Sequence, residues 1–406
     1  MKRFFLFAVL LISQAAYAQK NQTPYVLLVS FDGFRYDYVS KYNLPHFKEL
    51  IKQGASAEAM IPSFPSKTFP NHYTIVTGLY PGHHGLVDNQ FYDPKLKSSY
   101  GMKDPGTVTN SAFYGGTPLW QLTQQNGMKS ASYFWVGSET QIQGKFPDYY
   151  FKFDDDFPNG KRVDQVVDWL ALPEADRPHF ISLYFSLVDH AGHDFGPGSK
   201  ETQQAVMTAD SLLGNLMDKL KSIKLPVNLI VVSDHGMVEL KQEESTYVTL
   251  NKLFDVRDKS VIFANGGTQT HLYTNKPDSL YDVLKKQENH YKVYKRNEFP
   301  PRWHYDVERA GDLMIVADLG YYIQVAPRNF EKNPPKSPVF GVHGYDPAEI
   351  KDTHAIFYAM GPNIKSGITI PTFENIHVYP FIAKILGLKT PKVDGEVKVL
   401  EDIYKK

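Results

Sequence analysis

Three short apolar runs, each leading into acidic or imidazole residues, constrain this chain more than any other feature. Tyr25–Phe31 (YVLLVSF) runs into Asp32, residues 180–185 (FISLYF) lead to Asp189 and His193, and residues 228–232 (NLIVV) lead to Asp234 and His235. Short apolar runs of this length read as strands buried on both faces. Between the last two, Val206, Ala209, Leu213, Leu216, Leu220 and Ile223 recur every three or four residues and trace one face of a crossover helix. Strands alternating with helices predict an α/β fold with a mainly parallel central sheet flanked by helices. Ligands of such sheets bind beyond the carboxyl ends of the strands. Three strands therefore bring their Asp and His residues to one edge.

The stretch 65–89, PSKTFPNHYTIVTGLYPGHHGLVDN, sets the Thr68 hydroxyl before Phe69, Pro70 and a run able to start a helix. Thr at that place also reads as a helix N-cap. The two readings are compatible, because a helix N-terminus offers free N–H groups and a positive dipole end to a phosphate oxygen. A threonine hydroxyl attacks phosphorus usefully only when a base or a metal ion favours its alkoxide. Asp32, Asp189, His193, Asp234, His235 and His343, the last in the Gly-rich FGVHGYDP, make up three carboxylates and three imidazoles. Without thiolates, that donor set suits Zn²⁺ well and Mn²⁺ less well. Taken singly, each has a plainer reading as a turn, cap, surface-pair or loop residue. His83, His84 and His190 read as loop or supporting residues, His354 as a supporting or core residue, and Arg35 as one half of a structural ion pair.

As a set, VSFDGFR, PSKTFPNHYTIVTGLYPGHHG, DNQFYDP, VDHAGHDFGP, SDHGM and GVHGYDP resemble, in this order, the nucleotide pyrophosphatase/phosphodiesterases of the alkaline phosphatase superfamily. The similarity runs from about Tyr25 to the end and includes TFENIHVYP at residues 372–380. The resemblance implies two Zn²⁺ ions, one held by Asp32, Thr68, Asp234 and His235 and the other by Asp189, His193 and His343. It implies that Thr68 is the nucleophile, forming a nucleotidyl-threonine that water then hydrolyses, and that Asn89 donates to a non-bridging phosphate oxygen. A diester rewards a neutral donor beside an apolar wall more than a cationic clamp, which Asn89 and Phe69 fit. Phe69, Tyr184, Trp135 and Phe153 are the candidates for contacting the nucleotide base. Animal members carry cysteine-rich and nuclease-like flanking domains that are not expected here. Leu187-Val188 stand where many animal members have an acidic residue and proline, which bears on fine specificity.

The opening 18 residues, with Lys2, Arg3, an apolar run over residues 4–12 and Ala16-Tyr17-Ala18, read as a signal peptide cleaved after Ala18. The chain has no cysteine, so neither a disulfide nor a lipid-anchored cysteine is expected, and a periplasmic or secreted location fits. Lys+Arg and Asp+Glu stand at 44 each, and losing Lys2 and Arg3 leaves 42 against 44, a net charge of −2. That balance gives no sign of a polyanion-binding surface, so a small-molecule diester is expected rather than duplex nucleic acid. Residues 22–406 are expected to form one catalytic domain, with a small α/β lobe inserted at about residues 240–339. Three other readings stay open at this point: a glycerophosphodiester or lysophospholipid diesterase of the same superfamily, a phosphomonoesterase, and a catalytically silent exported binding protein.

Overall fold

The computed structural model describes residues 23–406, so the expected signal peptide and its cleavage point lie outside the described residues. Strands β1 (Tyr25–Phe31), β2 (Ala55–Ala57), β3 (Lys129–Tyr133), β4 (Tyr149–Phe151), β5 (Pro178–Phe185), β6 (Val227–Val232), β7 (Phe357–Met360) and β8 (Ile368–Ile370) form one sheet. Its order is β8-β2-β7-β6-β1-β5-β3-β4. β1 lies at the centre, paired in parallel with β5 and β6, and Val26 stands opposite Phe180 and Asn228. This register lets the three strands end together.

Only β7 breaks the parallel pattern, running antiparallel to both β6 and β2. The chain enters β7 from the edge where β6 ends: Gly236 N–H donates to Thr353 O at 2.7 Å and Met237 N–H to Asp352 O at 2.9 Å. Because the excursion returns to the edge it left instead of crossing back over the sheet, the strand has to run the other way.

Side-chain alternation along β1 builds two cores, as the period of a strand requires. Val26 and Leu28 enter one, while Leu27, Val29 and Phe31 enter the other. The first is covered by α2 (Thr68–Thr77), α3 (Leu119–Gln125) and α7 (Val378–Ile385), and the second by α1 (Pro45–Gln53), α4 (Asn159–Ala171) and α6 (Lys200–Ile223). The expected helical stripe lies in α6: Val206, Ala209, Leu213 and Leu216 are buried, and Leu220 and Ile223 pack at its margin. α6 starts at Ser199, whose Oγ accepts the Thr202 N–H at 3.1 Å.

Between β6 and β7 the chain makes an excursion with a core of its own, including Leu272, Leu284, Val293 and Ile315. Strands Val261–Asn265, Gln269–Thr274, Leu313–Ala317 and Tyr291–Lys295 form an antiparallel sheet in that order. At its neck Val238–Lys241 pairs antiparallel with Val339–Val342. This closure returns the chain beside the end of β6, where His343 is needed.

Candidate active site

Asp32 leaves the end of β1, Asp234 and His235 leave the end of β6, and Asp189 and His193 lie one turn apart on α5 (Leu187–Phe195) just past β5. Gly33 permits the close approach of two of these turns. It has φ +69°, and a Cβ there would come within 2.9 Å of the Asp189 Cα. The His343 ring stacks on His235, with centroids 3.6 Å apart and planes at 15°. Asp32, Asp234 and His235 offer one cluster of ligand atoms, and Asp189, His235 and His343 another, each with its atoms within 4.8 Å of one another and every member buried. His193 adjoins the second, its Nε2 being 3.4 Å from Asp189 Oδ1 and 3.1 Å from His343 Nε2.

The Thr68 hydroxyl points into this cluster. Thr68 is the first residue of α2, with Lys67 at the cap position and no side-chain cap. Its Oγ1 lies instead 3.1 Å from His235 Nε2. Phe69 N–H donates to Asn89 Oδ1 at 2.9 Å, which orients the amide; its Nδ2 makes no hydrogen bond among the described residues.

The donors fit a cation better than they fit one another. His193 Nδ1 faces Gly341 O, His343 Nδ1 faces Ser66 O and His235 Nδ1 faces Gly236 O, each at 2.8 Å. A carbonyl only accepts, so the Nδ1 atoms carry protons and the Nε2 atoms can present lone pairs inward. Two inward lone pairs 3.1 Å apart, on His193 and His343, repel unless something positive lies between them. Asp32 Oδ1 and Asp189 Oδ1 are buried without a hydrogen-bond partner among the described residues. Carboxylate oxygens stranded beside inward-facing imidazole lone pairs suit a bound cation.

The electrostatics agree. Burial, then the charges of Asp234 and Asp189, push the Asp32 carboxyl well above the usual carboxylate range, although the Tyr184 hydroxyl, donating to Asp32 Oδ2 at 2.6 Å, opposes this. Burial also disfavours ionised Asp234, but His235 and His72 outweigh it and hold that carboxyl well below its ordinary value. Burial works against a charged His235 too, and Asp234 more than compensates. Burial, with His235, Lys67 and His193 adding to it, pushes His343 well down and keeps its ring neutral.

Some supporting residues were not singled out from sequence. His72 donates from Nδ1 to Thr68 O at 3.0 Å, lies 3.2 Å from Asp234 Oδ2, and takes a hydrogen bond from Ser30 Oγ at 2.8 Å. Its position one helical turn after Thr68 was the available signal. Lys67 is buried, and burial lowers its ammonium to about 8 against the pull of Asp88 and Asp189. Arg35 pairs with Asp37 at 2.6 Å and with Asp352 at 3.3 Å. His83 pairs with Asp394, His84 bonds Thr74, His190 pairs with Asp155 and His354 bonds Pro347 O; none of the four reaches the cluster.

A cavity of about 180 Å³ opens beside Thr68, lined in part by Phe69, Trp135, Phe153 and Tyr184. These four differ in what they offer a ligand. Phe153 is 49% exposed and Phe69 is partly buried, so both have free surface. Tyr184 is buried with its hydroxyl committed to Asp32, and Trp135 is buried with Nε1–H donated to His72 O at 3.0 Å. Both brace the polar cluster as well as walling the cavity.

Known proteins share this arrangement of chain and fold. The family model described as type I phosphodiesterase / nucleotide pyrophosphatase matches residues 26–346. Human ectonucleotide pyrophosphatase/phosphodiesterase family member 1 is 36% identical over 400 residues, 95% of this chain and 42% of that protein. The venom phosphodiesterase of Macrovipera lebetinus is 37% identical over 401 residues, 95% of this chain and 46% of that protein. The chain thus spans less than half the length of these curated relatives. Among solved structures, murine ectonucleotide pyrophosphatase / phosphodiesterase 5 superposes with a TM-score of 0.86 at 32% identity, covering 94% of this chain and all of that one. An inactive threonine-to-alanine form of that murine protein, in complex with AMP, matches equally well. From its motifs to its alkaline phosphatase-like fold, this chain belongs to the type I phosphodiesterase / nucleotide pyrophosphatase family.

Proposed function

We propose that this protein hydrolyses nucleotide 5′-phosphodiester or pyrophosphate bonds through a covalent threonine intermediate and releases a nucleoside 5′-monophosphate. One observation carries the reading: the Thr68 hydroxyl, free of any capping role, lies 3.1 Å from His235 Nε2 within a cluster of inward-facing lone pairs. Asp32, Thr68, Asp234 and His235 would hold one Zn²⁺ and Asp189, His193 and His343 the other, and the ions would supply the positive charge that favours an alkoxide and offsets charge on phosphoryl oxygens. Thr68 Oγ1 gives up its proton to solvent and forms a bond to phosphorus as the bond to the leaving oxygen breaks, and that oxygen leaves with the electron pair and takes up a proton from solvent. Water then forms the second bond as Oγ1 departs, which restores the threonine hydroxyl and releases the monophosphate. Asn89, held by Phe69 N–H, turns its Nδ2 towards a non-bridging oxygen as a neutral donor suited to a diester.

The base stacks against Phe69 and Phe153, two of the cavity-lining aromatics with free surface. Stacking is worth about 1–3 kcal/mol per base. Phe153→Ala is therefore expected to raise KM for a nucleotide diester by about 5-fold or more with little change in kcat. An unchanged KM would place the base elsewhere. The AMP bound to the murine relative supports a nucleotide as ligand.

No helix among the described residues is long and apolar enough to cross a membrane. Export to the periplasm or beyond belongs to the same reading and is supported by the charged and apolar pattern of residues 1–18. The test of function is turnover of a nucleotide 5′-phosphodiester, a glycerophosphodiester and a phosphate monoester, with and without a chelator. Chelator-sensitive preference for the nucleotide is expected. Preference for the glycerophosphodiester would favour a lipid-directed diesterase, and no turnover of any would favour a binding protein.

A further inference from the structure

The segment that carries Asn89 is gripped from the inserted lobe. Asp88 is fully buried, and its Oδ1 accepts the Asn89 N–H at 2.6 Å. Its Oδ2 accepts from Gln269 Nε2 at 2.5 Å and from His271 Nε2 at 2.9 Å. Gln269 and His271 are themselves fully buried and lie two apart on the strand Gln269–Thr274, so they share one face of it. That strand lies inside the lobe sheet, and His271 is anchored again where its Nδ1 donates to Ala310 O at 3.0 Å. On either side of Asp88 and Asn89, the Tyr305 hydroxyl donates to Val87 O and Gln90 Nε2 donates to Asn265 O. Gly266 completes the clamp: a Cβ there would come within 2.6 Å of Asp88 Oδ2.

Resting on the function proposed above, we infer that the inserted lobe is a positioning element for Asn89, acting through the Asp88 carboxylate that Gln269 and His271 hold. A buried carboxylate is a weak stabiliser, because its desolvation opposes the gain from its partners. A fully hydrogen-bonded buried network does, however, fix geometry. Asn89 is held by its side chain from the start of α2, and by its backbone from Asp88 and from Met102, whose N–H donates to Asn89 O at 2.9 Å. Where its Nδ2 points then depends on these anchors, and one of them, Asp88, is held by the lobe. Small errors at such a donor are costly, since it acts on charge that develops in the transition state.

The test is a double-mutant cycle on the metal-loaded protein with a chromogenic nucleotide 5′-phosphodiester. His271→Ala is expected to lower kcat by about 10-fold, with KM changed by less than about 2-fold and metal content per chain unchanged. In an Asn89→Ala background the same substitution should change kcat by less than about 2-fold, because the group it positions is gone. Gln269→Ala, which removes one donor and leaves the His271 anchor, repeats the cycle should His271→Ala fail to fold, and a smaller kcat loss of the same pattern is expected. The full factor persisting in the Asn89→Ala background, a loss confined to KM, or a loss of metal would overturn the inference while leaving the parent function standing. Absence of nucleotide turnover by the unmodified protein would overturn both.

Discussion

Thr68→Ala is expected to lower kcat on a nucleotide 5′-phosphodiester by about 10⁴-fold or more while leaving the fold and the metal content almost unchanged. The loss is large because, among the described residues, no other hydroxyl stands where Oγ1 does, 3.1 Å from His235 Nε2. Stability should be spared because Thr68 makes no cap, and alanine is a good helix former at the first turn. Three donors of the first cluster, Asp32, Asp234 and His235, remain to bind an ion. Thr68→Ser, which keeps a hydroxyl on a smaller side chain, should retain far more activity than the alanine form. Steady-state rates, metal analysis and thermal melting on the three proteins check this together. Wild-type turnover by Thr68→Ala would remove threonine from the chemistry, and loss of metal in that form would make Thr68 a ligand first.

Asp32→Asn should move activity and metal-free stability in opposite directions. Asp32, Asp189 and Asp234 are buried carboxylates around one site, and Asp32 Oδ1 has no hydrogen-bond partner among the described residues. Without a cation their mutual repulsion and desolvation count against the fold. Asparagine keeps the shape, can still accept from the Tyr184 hydroxyl, and removes one charge. The chelated protein should gain stability, on the order of 1–3 kcal/mol. With metal supplied, kcat should fall by about 10³-fold, and the rise in melting temperature on adding Zn²⁺ should shrink. Melting curves with and without chelator, beside rates, give both signs. A chelated Asp32→Asn protein that melts below the chelated wild type would mean that the carboxylate supports the fold without a cation.

Much of the site was legible because strand ends and site residues coincide. Asp32, Asp189, Asp234 and His235 each follow an apolar run that reads as a buried strand, and the register of β1 with β5 and β6 brings them together. His343 was legible only through its motif. Its place beside His235 depends on the neck pairing of Val238–Lys241 with Val339–Val342, which local pattern does not announce. Thr68 carried two readings, the helix cap being the commoner for such a local pattern, and what separates them is a partner 167 residues away. The direction of β7 was hidden for a similar reason, because an apolar run at residues 355–359 has no polarity until the path that enters it is known. Tyr184, a candidate base contact from its closeness to Asp189, lines the cavity and also donates its hydroxyl to Asp32 at the end of the neighbouring strand. His72 and the Asp88 clamp are networks of long sequence separation, and composition leaves no trace of them.

The stereochemical course at phosphorus tests the central claim most directly. A nucleotide phosphorothioate diester of known configuration, hydrolysed in isotopically labelled water, should give a product with overall retention, because attack by Thr68 and then by water each invert the centre. Overall inversion would mean a single displacement by water and would contradict a covalent role for Thr68.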